Sequence, residues 1–332
     1  MVGKVLLGIV LGLAVLLAIV GNFFVCVAVS TDRRLRRNSN FLLVSLAVSD
    51  ILVAIVVMNP AIVNDLLNRW IFGTYFCHIW ISSDILLCTA SILSLCAVSV
   101  DRYMNIHDPL GHERWMTRKK TAIAIGAVWI VSALIAILPL HLGSIQFSSD
   151  TSVCFLNLQP EFALLSSAFS FYIPCIIMVS FYIRIYMCAR SQMKVMQSRQ
   201  RFGLVESRGE SESKIFHRHW SNKAAITLGV IMGVFVVCWT PFFIMNPIMA
   251  YCPTCISKVR FRCVIWLGYI NSSFNPIIYS IFNTDFRRAF VRIVNKTRYR
   301  DSSSTVDYST KTSTRASGSI PCERRNTREE RF

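Results

Sequence analysis

Charge is scarce in this chain, and acidic charge scarcer still. Of 332 residues 16% are charged, with 18 Asp or Glu against 35 Lys or Arg, while 54% are hydrophobic. Soluble domains carry about 25% charged residues, so that class is excluded. No Asp or Glu occurs between Ser213 and Thr284, and no Lys between Phe261 and Asn283. No internal repeat is visible, which argues against the repeated architecture of many transporters. The histidines do not suit catalysis. His78 and His141 sit near the ends of apolar blocks, and His107, His112, His217 and His219 in basic connecting segments. No nucleophile and base can be assembled from them, so the chain is not read as an enzyme.

What is present is apolar sequence in blocks. Seven of them, at 5–29, 41–65, 77–103, 121–143, 162–188, 223–250 and 261–283, exceed the length of about 20 residues that a spanning helix needs. They predict an all-α membrane protein, a seven-transmembrane helix bundle over 1–284, with no room for a second folded domain. The net charge of +17 does not mark a nucleic-acid surface, because the basic residues sort by side. Four lie at 33–37, five at 102–120, nine at 184–223 and twelve after Asp285, whereas Lys4, Arg69, Lys258, Arg260 and Arg262 alone fall on the other side. By the positive-inside rule the N-terminus is expected outside and the C-terminus in the cytoplasm. The first block follows Lys4 as a secretory leader would, but it is long and is followed by the basic run Asp32-Arg33-Arg34-Leu35-Arg36-Arg37, which reads as an anchor.

The third block, Cys77 to Tyr103, carries a carboxylate, Asp84, inside apolar sequence and Asp101-Arg102 at its end. An intramembrane carboxylate costs about 2.5–3.5 kcal/mol and points to a cavity with a cationic partner, either a ligand or a residue of the bundle. Asp84 and Arg102 are eighteen residues apart, about five turns or ~27 Å, so they share a face at opposite membrane surfaces. Asn22, Asp50, Ser91, Asn271 and Asn275 fall midway along their blocks. Their convergence suits a small hard cation, or an interhelical hydrogen-bond network holding only water. Cys77 and Cys154 lie on the outer side, where a disulfide persists. Cys252 and Cys255 form a Cys-Pro-Thr-Cys turn that fits a local disulfide better than zinc, since only two ligands are in view.

With Asn22, Asp50, Asp101-Arg102-Tyr103, Trp129, Pro174, Cys238-Trp239-Thr240-Pro241 and Asn275-Pro276-Ile277-Ile278-Tyr279 in that order, the chain resembles rhodopsin-class G-protein-coupled receptors across every span. Within the class it is similar to aminergic receptors, above all to dopamine receptors that stimulate adenylate cyclase, as in SLAVSDILVAIVVM, CTASILSLCAVSVDRY and VIMGVFVVCWTPFFIMN. The resemblance implies a plasma-membrane receptor for a dopamine-like catecholamine. The alternative is another amine of octopamine, adrenaline, trace-amine, serotonin or histamine type. It also implies that Asp84 takes the ammonium group, flanked by Ile85 and Cys88, and that Tyr269 hydrogen-bonds Asp84. By the same resemblance Ser166, Ser167 and Ser170 are expected to face catechol hydroxyls, although serines in membrane helices also bond their own backbone. Trp239, Phe242, Phe243 and Asn246 recur at helical spacing as a stripe that clasps the ring, and Trp80 and Trp266 close the outer end.

Asp101, Arg102, Tyr103, Pro109, Tyr182 and Tyr279 are implied in coupling to a heterotrimeric G protein. Sodium is the one ion implied, at Asp50, Ser91, Asn271 and Asn275, and no cofactor is expected. Ser221 stands where many relatives carry a glutamate that pairs with the residue matching Arg102, leaving Arg102 with Asp101 alone. Asn59-Pro60 replaces the Met-Pro step common in the family and shifts the kink of the second span by one residue. Phe282, Phe286, Phe290 and Ile293 alternate with Arg287, Arg288 and Arg292, predicting a short amphipathic eighth helix over 285–296 on the inner leaflet. The tail, 297–332, is disordered in composition, and its Ser302–Thr305 and Ser309–Thr314 runs would engage receptor kinases and arrestin once phosphorylated.

Overall fold

The computed structural model describes the backbone of residues 2–141, 145–148, 153–156, 159–201 and 210–307. Side chains within those ranges are described except at 109–110, 113, 139–153, 155–158, 162, 189, 192–226, 228 and 296–307. The helices are α1 (Val2–Thr31), α2 (Asn40–Leu67), α3 (Gly73–His107), α4 (Pro109–Trp115), α5 (Arg118–His141), α6 (160–201), α7 (Glu210–Tyr251), α8 (Lys258–Phe282) and α9 (Thr284–Asp307). The chain divides into two compact units, Met1–Phe290 and Val291–Phe332. The helix expected over 285–296 begins one residue earlier and continues to Asp307. Within the first unit its Phe286 is buried and stacks on Tyr279 at 5.3 Å, while Arg287 and Arg288 are exposed.

The bundle is sorted inside out relative to a soluble protein. Ile123, Ile130, Leu134, Ile176 and Val237 are each more than 60% exposed, whereas Asn22, Asp50, Ser91, Asn271 and Asn275 are buried. That arrangement suits hydrocarbon outside and polar contacts between helices. Among the described residues, six helices contain stretches long and apolar enough to cross a membrane. α8 falls below that apolarity because its buried face carries Asn271, Ser272, Ser273 and Asn275.

Prolines set the polar cross-links. A proline has no N–H, so the carbonyl four residues earlier loses its helical partner. Pro276 frees the Ser272 carbonyl, which accepts from Asn22 Nδ2 of α1 at 2.9 Å. Pro247 likewise frees the Phe243 carbonyl, which accepts from the Tyr172 hydroxyl of α6 at 2.8 Å. α1 can approach Pro276 because residue 21 is glycine: a Cβ there would lie 2.6 Å from Pro276 Cγ.

Two π-helical turns, Val53–Met58 in α2 and Ala168–Tyr172 in α6, each precede a proline. The first takes up the extra residue of Asn59-Pro60 without ending the helix, and Asn59 Nδ2 caps the Ala54 carbonyl at 3.0 Å. The transmembrane part is helical as expected, with one addition. Between α5 and α6, β1 (Ile145–Ser148) pairs antiparallel with β2 (Val153–Leu156), Phe147 opposite Cys154. A Cys77–Cys154 disulfide fixes β2 to the start of α3, and Cys252–Cys255 closes the turn between α7 and α8, so the zinc alternative does not apply there.

Candidate functional site

α3, α5, α6, α7 and α8 enclose a cavity with roughly 760 Å³ of empty space counting its mouth, room for one small aromatic ligand. Asp84 projects into it from α3. Its Oδ2 accepts from the Tyr269 hydroxyl of α8 at 2.7 Å, and its Oδ1 accepts from Cys88 Sγ at 3.2 Å. Among the described residues no Lys, Arg or His pairs with Asp84, so the bundle supplies no cation for it. Two neutral donors orient the carboxylate and leave its charge uncompensated. A positively charged ligand would complete it.

The cavity also gathers Ile85, Ser166, Ser167, Ser170, Trp239, Phe242, Phe243 and Asn246. The three serines are not equivalent. Ser166 Oγ donates to the Ala163 carbonyl at 3.2 Å, whereas Ser167 Oγ is buried with no hydrogen-bond partner among the described residues. The π turn Ala168–Tyr172 begins directly after Ser167 and contains Ser170. Phe243 is held by a parallel stack on Phe171 at 4.3 Å, and Trp239 meets Phe242 edge-on at 5.9 Å.

Two residues expected to close the outer end do not line this cavity, although Trp266 meets Tyr269 edge-on at 5.6 Å. Trp266 Nε1 donates to Asp65 Oδ2 at 2.7 Å, beside an Arg262–Asp65 ion pair, and Trp80 Nε1 donates to the Val57 carbonyl at 3.1 Å. Each indole N–H follows its acceptor rather than the cavity. Thr89, Ile92, Ile135 and Ile265 line the cavity without having been singled out. Three are isoleucines, which sequence does not distinguish from lipid-facing ones.

Deeper in the bundle Asp50, fully buried, accepts from Ser91 Oγ at 3.0 Å, Ser272 Oγ at 2.8 Å and Asn275 Nδ2 at 2.8 Å. Ser272 occupies the role expected of Asn271, which is buried but makes none of the bonds to Asp50. A carboxylate with two hydroxyls beside it, and no cationic side chain among its partners, is a donor set that fits a small hard cation.

At the end of α3 remote from the disulfide, Arg102 is not left with Asp101 alone. Its Nη2 donates to Asn40 Oδ1 at 2.9 Å, while Nε stands 3.7 Å from Asp101 Oδ2. Asp101 Oδ1 is shared by Ser39 Oγ and His112 Nε2, both at 2.9 Å. Tyr103 packs on Phe181 at 5.2 Å, and the ring of Tyr182 fills the notch left by Gly229. The Tyr279 hydroxyl is buried without a hydrogen-bond partner among the described residues. Pro109 opens α4, and its side chain lies outside the described residues, as do those of Ser221 and the Ser/Thr-rich tail.

A seven-helix membrane bundle with a ligand-sized cavity facing one end and an Asp-Arg-Tyr cluster at the other defines a transmembrane receptor. The sequence matches the 7 transmembrane receptor (rhodopsin family) over residues 21–279, and the chain belongs to that family, which is one of receptors and not of enzymes. It is 44% identical to Dopamine receptor 1 of Drosophila melanogaster over 322 residues, covering 89% of this chain and 63% of the fly protein. It is 40% identical to the D(1)-like dopamine receptor of Oreochromis mossambicus over 324 residues, 92% of this chain and 83% of the fish protein. It is 36% identical to 5-hydroxytryptamine receptor 1 of Aplysia californica over 332 residues, 88% and 73% of the two chains.

Proposed function

We propose that this protein is a plasma-membrane receptor for a dopamine-like catecholamine that activates a stimulatory G protein and thereby adenylate cyclase. The observation that carries the reading is one cavity holding an uncompensated carboxylate, Asp84, together with the hydroxyls of Ser166, Ser167 and Ser170 and an aromatic stripe. The ammonium group pairs with Asp84, the ring lies against Phe242 and Phe243, and the ring hydroxyls meet the serines. The names of the fly and fish relatives agree with this chemistry. The sidedness of the basic residues supports an N-terminus outside and a C-terminus in the cytoplasm, where the tail would meet kinases and arrestin. A sodium ion at Asp50, with Ser91, Ser272 and Asn275 around it, would act as an allosteric ligand.

A second reading, another biogenic amine, is favoured by the backbone bond that occupies Ser166 and by the sea-hare serotonin receptor among the relatives. Competition of biogenic amines against a radiolabelled ligand on transfected cells, with cyclic AMP as readout, separates the two. Dopamine is expected to bind most tightly. A higher affinity for serotonin or octopamine would reassign the ligand, and failure of every amine would remove the reading.

A further inference from the structure

His112 is a titratable side chain that the ligand site does not use. It projects from the short helix α4, which connects α3 to α5, and is buried against the Arg102 end of α3. Its Nε2 lies 2.9 Å from Asp101 Oδ1, the oxygen that also accepts from Ser39. Asp101 is itself buried, and its second oxygen makes no hydrogen bond, with Arg102 Nε 3.7 Å away. Arg102 instead donates to Asn40. The carboxylate therefore has two candidate counter-charges, the guanidinium beside it and the imidazole of α4, and hydrogen-bonds only the second.

We propose that His112 is a positioning residue for the Asp101–Arg102 pair, and that its proton sets how tightly α4 is held to α3. Charged, His112 makes a charge-assisted bond to Asp101, which pins α4 and reduces the pull of Asp101 on Arg102. Neutral, it makes an ordinary hydrogen bond, α4 is held less tightly, and Arg102 becomes the sole counter-charge. Histidine changes charge within about pH 5 to 8. The sign follows: the tight state prevails at the acidic end and is lost as pH rises.

Around His112 the side chains of Leu110 and Glu113 lie outside the described residues. Among the described residues the charged groups facing it are Asp101 and Arg102 of α3. Ser39 and Asn40 of the α2 start are neutral, as is Asn38, whose Nδ2 donates to the Met116 carbonyl at 2.8 Å. Asp108, which caps the start of α4, accepts from the Gly111 amide, and Arg114 on α4 is exposed. The inference goes beyond the ligand assignment and holds for any ligand.

The test is amide hydrogen exchange of residues 109–116 in the purified, ligand-free full-length receptor in lipid nanodiscs, corrected for the intrinsic pH dependence of exchange. Protection of this segment is expected to fall roughly fivefold from the acidic to the basic end of the range in the wild type. His112→Tyr, which keeps a donor that does not titrate there, should restore protection without the pH dependence. His112→Phe should be weakly protected throughout. A flat wild-type profile would overturn the proposal even if neither variant folds, and so would a His112→Tyr profile that still follows pH.

Discussion

Asp84 is held by one hydroxyl and one thiol and faces no cation among the described residues, so its electrostatic role is open to a ligand. Asp84→Asn is expected to lower amine affinity by about 2–5 kcal/mol, roughly 30-fold or more, at unchanged surface expression. Saturation binding on intact cells checks this, and unchanged affinity would remove the amine reading. The serines make a finer test. Ser167→Ala and Ser170→Ala should each weaken a catecholamine by about 0.5–1.5 kcal/mol more than a phenethylamine lacking ring hydroxyls. Ser166→Ala should do so less, because the Ala163 carbonyl already occupies that hydroxyl. Equal losses for both ligands would mean that the serines only pack. The i, i+1, i+4 spacing was legible in the sequence, but which hydroxyl is free was not, since that depends on backbone geometry near the π turn.

At the scale of elements, the helices are joined where proline breaks their own hydrogen-bond ladders. The close approach of α1 to α8 at Gly21 and Pro276 lets Asn22 reach the Ser272 carbonyl. Gly21→Ala would overpack this contact, at a cost of about 1–3 kcal/mol, and should lower the thermal midpoint of the purified receptor. A midpoint equal to the wild type would show that α1 can move away freely. Asp50 joins α2, α3 and α8 through one carboxylate. If sodium binds there, replacing choline by sodium should raise the thermal midpoint of the wild type and leave that of Asp50→Asn unmoved. Equal sodium responses in both proteins would place the ion elsewhere. Asn22, Asp50 and Asn275 stood out in sequence because a polar group at that depth is costly. Ser272 did not, since a serine can satisfy itself against its own helix.

For the whole molecule, the charge distribution matters more than any single contact. No Asp or Glu occurs between Ser213 and Thr284, so from Ser213 onward α7 carries no carboxylate to pair with Arg102. Arg102 turns to Asn40 of α2 instead. The arrangement in which α3 and α7 close at that end should then be disfavoured by about 1 kcal/mol relative to a chain with a glutamate there, roughly fivefold in population. Ser221→Glu is expected to lower second-messenger output in unstimulated cells at matched surface expression. The same baseline in both proteins would mean that Arg102 does not set the resting equilibrium.

The sequence by itself determined the class of fold, the spans, the sidedness of charge and most of the cavity wall. Each of these follows from one-dimensional facts: the length of apolar runs, the cost of a charge in hydrocarbon, and helical spacing. Tertiary structure decided which donor meets which acceptor. Trp266 turned to Asp65, Arg102 to Asn40 and His112 to Asp101, because a buried polar group bonds whatever partner packing brings within about 3 Å. Neighbours in the bundle stand far apart in the chain, His112 and Asp101 excepted, and so spacing along one helix carries no record of them.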